Sequence, residues 1–69
     1  MREKKDPRGA LSRALRSRRE TLNHSQETAA RLIGVSSMTL SRWERRATYP
    51  AARPVIRAVC EYLGREELP

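Results

Sequence analysis

Thirteen of the chain's fifteen basic residues are arginines. A guanidinium is a planar fork of donors that matches phosphate oxygens and the edge of guanine, so this bias favours a nucleic-acid partner over charge carried merely for solubility. The charge is also graded. Residues 1–25 carry a net +5, residues 26–46 carry +2, and residues 47–69 are neutral, within a total of +7. A cationic two-thirds joined to a neutral third points to a polyanion approaching one side of a small molecule. Catalysis lacks an inventory: there is one His (His24), one Cys (Cys60), and no pair of carboxylates at a spacing that suggests a site. His24 and Cys60 have no partner ligands either, so neither a metal nor a cofactor is expected.

Counted from Gln26, a second set of residues falls at fixed intervals. Ala30 comes four residues later, where two helices approaching closely admit only a small side chain. Gly34 comes eight later, where a tight turn calls for a positive φ. Val35, Leu40 and Trp43 follow at nine, fourteen and seventeen, the contacts that would hold the next helix at its angle. Two short helices joined at a glycine, the first with alanines turned inward, describe a helix-turn-helix. On the second of them, Leu40 and Trp43 share one face, with Ala47 beyond. Ser37, Met38, Ser41, Arg42 and Arg45 occupy the opposite arc.

The elements that must position these residues are legible around them. Residues 1–8, with Arg2, Lys4, Lys5, Pro7 and Arg8, lack periodicity and read as a flexible basic arm. Residues 9–64 form the domain and residues 65–69 a short tail. From Gly9, the residues Leu11, Ala14, Leu15 and Leu22 make a helical stripe, interrupted by Arg18, whose stem can follow the stripe while its head reaches solvent. Asn23 offers a stop and Ser25 an N-cap for a second helix, with Glu27 in its first turn and Ala29, Ala30, Leu32 and Ile33 as its buried surface. Ser36 or Ser37 caps the third helix. Pro54 suits the first turn of a fourth, lined by Val55, Ile56, Val59, Tyr62 and Leu63 and ended by Gly64. No segment alternates with period two, so the fold class is all-α, a compact bundle of four to five helices. With 69 residues and no Phe, one thin core is all that can form. No stretch approaches a membrane span or a secretory signal, and the lone cysteine excludes an intramolecular disulfide, so a cytoplasmic, nucleoid-associated location is expected.

Ser25-Gln26 through Ala30, Leu32-Ile33-Gly34-Val35-Ser36, Thr39-Leu40-Ser41-Arg42-Trp43-Glu44, and Pro50 six residues after Glu44 resemble the lambda-repressor-like (Cro/C-repressor, XRE) helix-turn-helix family. The resemblance covers about residues 10–64. It implies that the third helix enters the major groove of double-stranded DNA. By residue-to-residue match, Ser37, Met38 and Arg42 would touch base edges. Arg19, Gln26, Thr39, Ser41, Arg45 and Arg46 would meet the DNA backbone, and Glu44 would pair with Arg19 to tie the first helix to the end of the third. The sequence departs from the pattern at Arg46, where a glycine is usual, which predicts a different ending for the third helix. It departs again at Asn23, in place of a glycine, and at His24, in place of an apolar residue and read as a partly buried spacer or, alternatively, a phosphate contact. The fifth helix often used for dimerisation is missing, which leaves Val59, Tyr62, Leu63 and Leu68 as the candidate dimer surface.

The function expected is a sequence-specific transcriptional regulator, a repressor from a phage or mobile-element operon that binds an inverted repeat as a homodimer. So short a chain leaves little room for a sensing or activation domain. The alternative keeps the fold and changes the role: an antitoxin-type or adaptor module whose main partner is another protein, bound through Tyr62, Leu63 and Leu68. RNA is a weaker candidate, because no exposed aromatic platform is apparent.

Overall fold

The computed structural model describes residues 6–69 and contains four helices: α1 (Pro7–Leu22), α2 (Gln26–Ile33), α3 (Ser37–Glu44) and α4 (Arg53–Leu63). Arg2, Lys4 and Lys5 of the expected arm lie outside the described residues. Pro7 and Arg8, assigned to the same arm, belong to α1 instead. The Asp6 carboxylate accepts the Gly9 N–H at 3.1 Å, and Pro7 occupies the first helical turn, where its missing N–H costs nothing. Ser25 and Ser36 cap α2 and α3 in the same way, accepting the N–H groups of Thr28 and Thr39.

Each helix ends on a residue in the left-handed region. Asn23 (φ 58°), Gly34 (φ 98°) and Gly64 (φ 73°) were expected to terminate α1, α2 and α4. The end of α3 corrects an expectation. Arg46 takes φ 66°, the conformation a glycine would have supplied, rather than ending the helix differently. Its N–H reaches the Trp43 carbonyl at 3.1 Å and the Ala47 N–H reaches Arg42 at 2.9 Å, the paired bonds of a Schellman turn. Those bonds satisfy carbonyls that a frayed end would leave bare, so they outweigh the cost of an L-residue at positive φ. Arg46→Gly should relieve that cost and raise stability by about 0.5–1 kcal/mol, after allowing for the looser unfolded chain. Arg46→Ala keeps the strained backbone and loses only an exposed ion pair with Asp6, so its thermal melt should match wild type within about 0.5 kcal/mol. Equal melting of the glycine and alanine variants would show that Arg46 stores no strain.

The core gathers Leu11 and Leu15 from α1, Ala29, Ala30 and Ile33 from α2, Leu40 and Trp43 from α3, and Val59, Tyr62 and Leu63 from α4. Helix α3 packs on α1 and α2, and α4 packs on the same two helices. Leu32, expected in the core, is 62% exposed, and Leu22 and Ala47 are exposed as well. Their apolar spacing was real, but no neighbouring helix covers that side.

The candidate dimer surface fails for the opposite reason. Val59, Tyr62 and Leu63 are buried within this chain, and Leu68 packs back against the same core. Here α4 closes the core, so its apolar face is spent internally. The protein-partner alternative loses the surface on which it rested. Arg18 is half-buried and its head is partly committed: Nε donates to the Tyr62 carbonyl at 2.9 Å and ties α1 to α4. His24 is half-buried, as a spacer should be, with Nδ1 2.9 Å from the Tyr62 hydroxyl. Burial pushes that hydroxyl's pKa above the ordinary tyrosine range.

Candidate nucleic-acid interface

Helix α3 is two-faced because its eight residues must both seat it and leave something to offer. Leu40, Trp43 and Glu44 turn inward, and Glu44 is only 2% exposed. Ser37, Met38, Arg42 and Arg45 are exposed, Met38 to 61%, while Thr39 and Ser41 are half-buried at the edges. Thr39 is partly committed, since its hydroxyl accepts from Ser36 Oγ at 3.0 Å beside the capping bond. The outward arc expected from spacing is therefore the arc that solvent reaches.

A buried carboxylate holds this helix in place. Glu44 accepts Arg19 bidentately, Oε2 from Nε at 2.6 Å and Oε1 from Nη2 at 2.8 Å. Gln26 Nε2 donates to the same Oε1 at 3.0 Å, and the Glu44 carbonyl accepts the buried Ser12 hydroxyl at 2.6 Å. Arg19 also donates through Nη1 to the His24 carbonyl at 3.2 Å. Its hydrogen bond to Glu44 raises its pKa above the ordinary arginine range, against the opposing effect of burial. α1, the start of α2 and the end of α3 are thus joined at one charge-paired centre.

The structure brings Arg19, Gln26 and Glu44 together, and it separates the tasks assigned to them. Three of the five Arg19 donors are used internally and its side chain is 19% exposed, so little of it remains for a phosphate. Gln26, the first residue of α2, keeps one amide N–H and its oxygen free of these bonds. Arg45 and Arg46 are exposed where α3 ends.

Three contributors escaped the sequence reading. Asp6 caps α1 and lies 3.7 Å from Arg46, Ser12 bonds the end of α3, and Arg16, 60% exposed in its side chain, stands 3.7 Å from Glu44. A signal for all three existed. Ser12, Arg16 and Arg19 are spaced by four and three, one polar stripe beside the apolar one, and Asp before Pro is a common helix start.

A family model described as a helix-turn-helix domain matches residues 10–68. The chain belongs to the helix-turn-helix family. No curated protein and no solved structure matched it. The family match fits the lambda-repressor-like resemblance and covers all of α2 through α4, together with most of α1. The helix-turn-helix pair here is α2 and α3. Among the described residues no helix is long and apolar enough to cross a membrane.

Proposed function

We propose that this helix-turn-helix chain is a sequence-specific regulator of transcription, a repressor that binds an inverted-repeat operator as a homodimer. The observation that carries this reading is the division of α3. Its inner side is locked by Leu40, Trp43 and the Glu44 centre, while Ser37, Met38 and Arg42 stand free on its outer side. A rigid helix with an exposed polar arc can present side chains to base edges in the major groove without first paying to order them. Arg42 suits guanine O6 and N7, and Met38 suits a thymine methyl. Gln26, Arg45 and Arg46 suit phosphates, with a lesser share for Arg19, Thr39 and Ser41. One short helix reads only a few base pairs, so two-fold repetition is the economical route to a unique site. Repression needs nothing beyond occupancy of that site.

The test compares binding to a DNA selected from a random pool with binding to its scrambled counterpart. Arg42→Ala should cost about 1–3 kcal/mol on the selected DNA and little on the scrambled one, because only the former offers a guanine. Arg45→Ala should weaken both by similar factors and reduce the salt slope by about one unit per protomer. If Arg42→Ala loses affinity equally for both DNAs, that side chain holds the backbone and does not read bases.

A further inference from the structure

We propose that the groove between the C-terminal half of α1 and the end of α4 binds the phosphate group of a small phosphomonoester. The groove is open, about 270 Å³ in volume, and lined by Ala14, Ser17, Arg18, Thr21, Leu63 and Arg65. The first four share one face of α1, because they are spaced by three, one and three. Arg18 and Arg65 bring two guanidiniums to the groove, and none of its lining residues is a carboxylate. Among the described residues neither arginine is in an ion pair, whereas Arg19 and Arg46 each have one. Two like charges at one groove repel each other, and a bound dianion replaces that repulsion with attraction to both.

Arg18 is already oriented for this task. Its Nε donates to the Tyr62 carbonyl at 2.9 Å, which fixes the plane of the guanidinium and leaves the N–H donors of both terminal nitrogens for a ligand. A Cβ on Gly64 would lie 3.8 Å from Nη2, so the head rests against the turn that leads to Arg65. Bare carbonyls at the end of α4 would repel an anion. Those of Cys60, Glu61 and Tyr62 are bonded, to the Arg65 N–H, the Gly64 N–H and Arg18 in turn. Ser17 and Thr21, both exposed, add hydroxyl donors, and Ala14 with Leu63 supplies an apolar wall for the carbon atoms of the ester. A guanidinium fork suits phosphate, whose oxygens accept two parallel N–H bonds. The groove lies on the side of α1 opposite Ser12, Arg16 and Arg19, which face the Glu44 centre, so it is separate from the proposed DNA interface.

The experiment is a titration of the full chain with phenyl phosphate, followed residue by residue through the backbone amide and arginine Nε resonances. The amides of Ser17, Arg18, Thr21 and Arg65, with Arg18 Nε, should move along one saturable curve whose midpoint is lower than any shown by α3. Arg65→Met should weaken binding about fivefold or more, and because Arg65 is exposed the variant should stay folded. Arg57→Met removes the same charge from outside the groove and should titrate like wild type. Inorganic phosphate should move the same resonances with lower affinity, since it gains nothing from Ala14 and Leu63. Shifts scattered over the exposed arginines, no saturation in the groove, or an Arg65→Met variant that titrates like wild type would overturn the site. Equal affinity for the two phosphates would overturn the ester as its ligand. None of these results bears on base reading by Arg42, which the DNA titrations test separately.

Discussion

Glu44→Ala is expected to remove about 3–5 kcal/mol of folding stability, which for so small a chain approaches the whole of it. A domain of 69 residues has roughly 3–10 kcal/mol available at the usual stability per residue. Glu44 is 2% exposed and accepts three side-chain hydrogen bonds, two of them from one guanidinium. Truncation leaves Arg19 mostly enclosed with its charge unanswered, and it frees Gln26 from the orientation in which it starts α2. The loss therefore reflects an uncompensated charge more than a missing attraction. That distinction has a direct check in urea denaturation. The double variant Arg19→Met with Glu44→Met removes both charges and fills the space with apolar atoms, so it should recover most of the stability lost by Glu44→Ala. If the double variant were as unstable as the single one, the centre would contribute through its hydrogen bonds rather than through charge balance.

Trp43→Ala is expected to cost about as much, roughly 3–5 kcal/mol, by a different route. The indole is 3% exposed and belongs to the single core cluster that all four helices share. Its removal opens a cavity that Leu40, Ala30 and the neighbouring α1 leucines cannot collapse to fill, because each is already held on its own helix. Trp43→Phe retains an aromatic ring and should lose only about 1–2 kcal/mol. Thermal unfolding followed by circular dichroism separates the two variants. A small loss for the alanine variant would mean that the core closes without the indole, and α3 would then be held chiefly by the Glu44 centre. Trp43 and Glu44 are adjacent in sequence, yet one anchors α3 by packing and the other by charge.

Much of this arrangement is legible in the sequence, and the legible part is local. Ser25 as one cap, Ser36 or Ser37 as the next, and Asn23, Gly34 and Gly64 as stops depend on the φ, ψ and hydrogen bonds of a few consecutive residues; the structure selects Ser36. The inward side of α3 was visible for the same kind of reason, since Leu40 and Trp43 lie three apart on one helical face. Pairing of Arg19 with Glu44 was implied by resemblance to a family, not by spacing, because the two are twenty-five residues apart.

What the sequence determined by itself is therefore the set of helices, the apolar faces they carry and the basic, arginine-rich character of the chain. Only the tertiary structure decided which apolar face is covered. Periodicity records that Leu32, Val59 and Leu63 each lie on an apolar stripe, but burial depends on whether another helix arrives there. One does for Val59 and Leu63, and none does for Leu32. The same holds for charge. Composition counts thirteen arginines without distinguishing them, whereas packing commits Arg18 to a carbonyl of α4 and Arg19 to a buried carboxylate, and leaves Arg42 and Arg45 exposed. A side chain's type sets what it can bond, and its neighbours in space decide whether those bonds are already made.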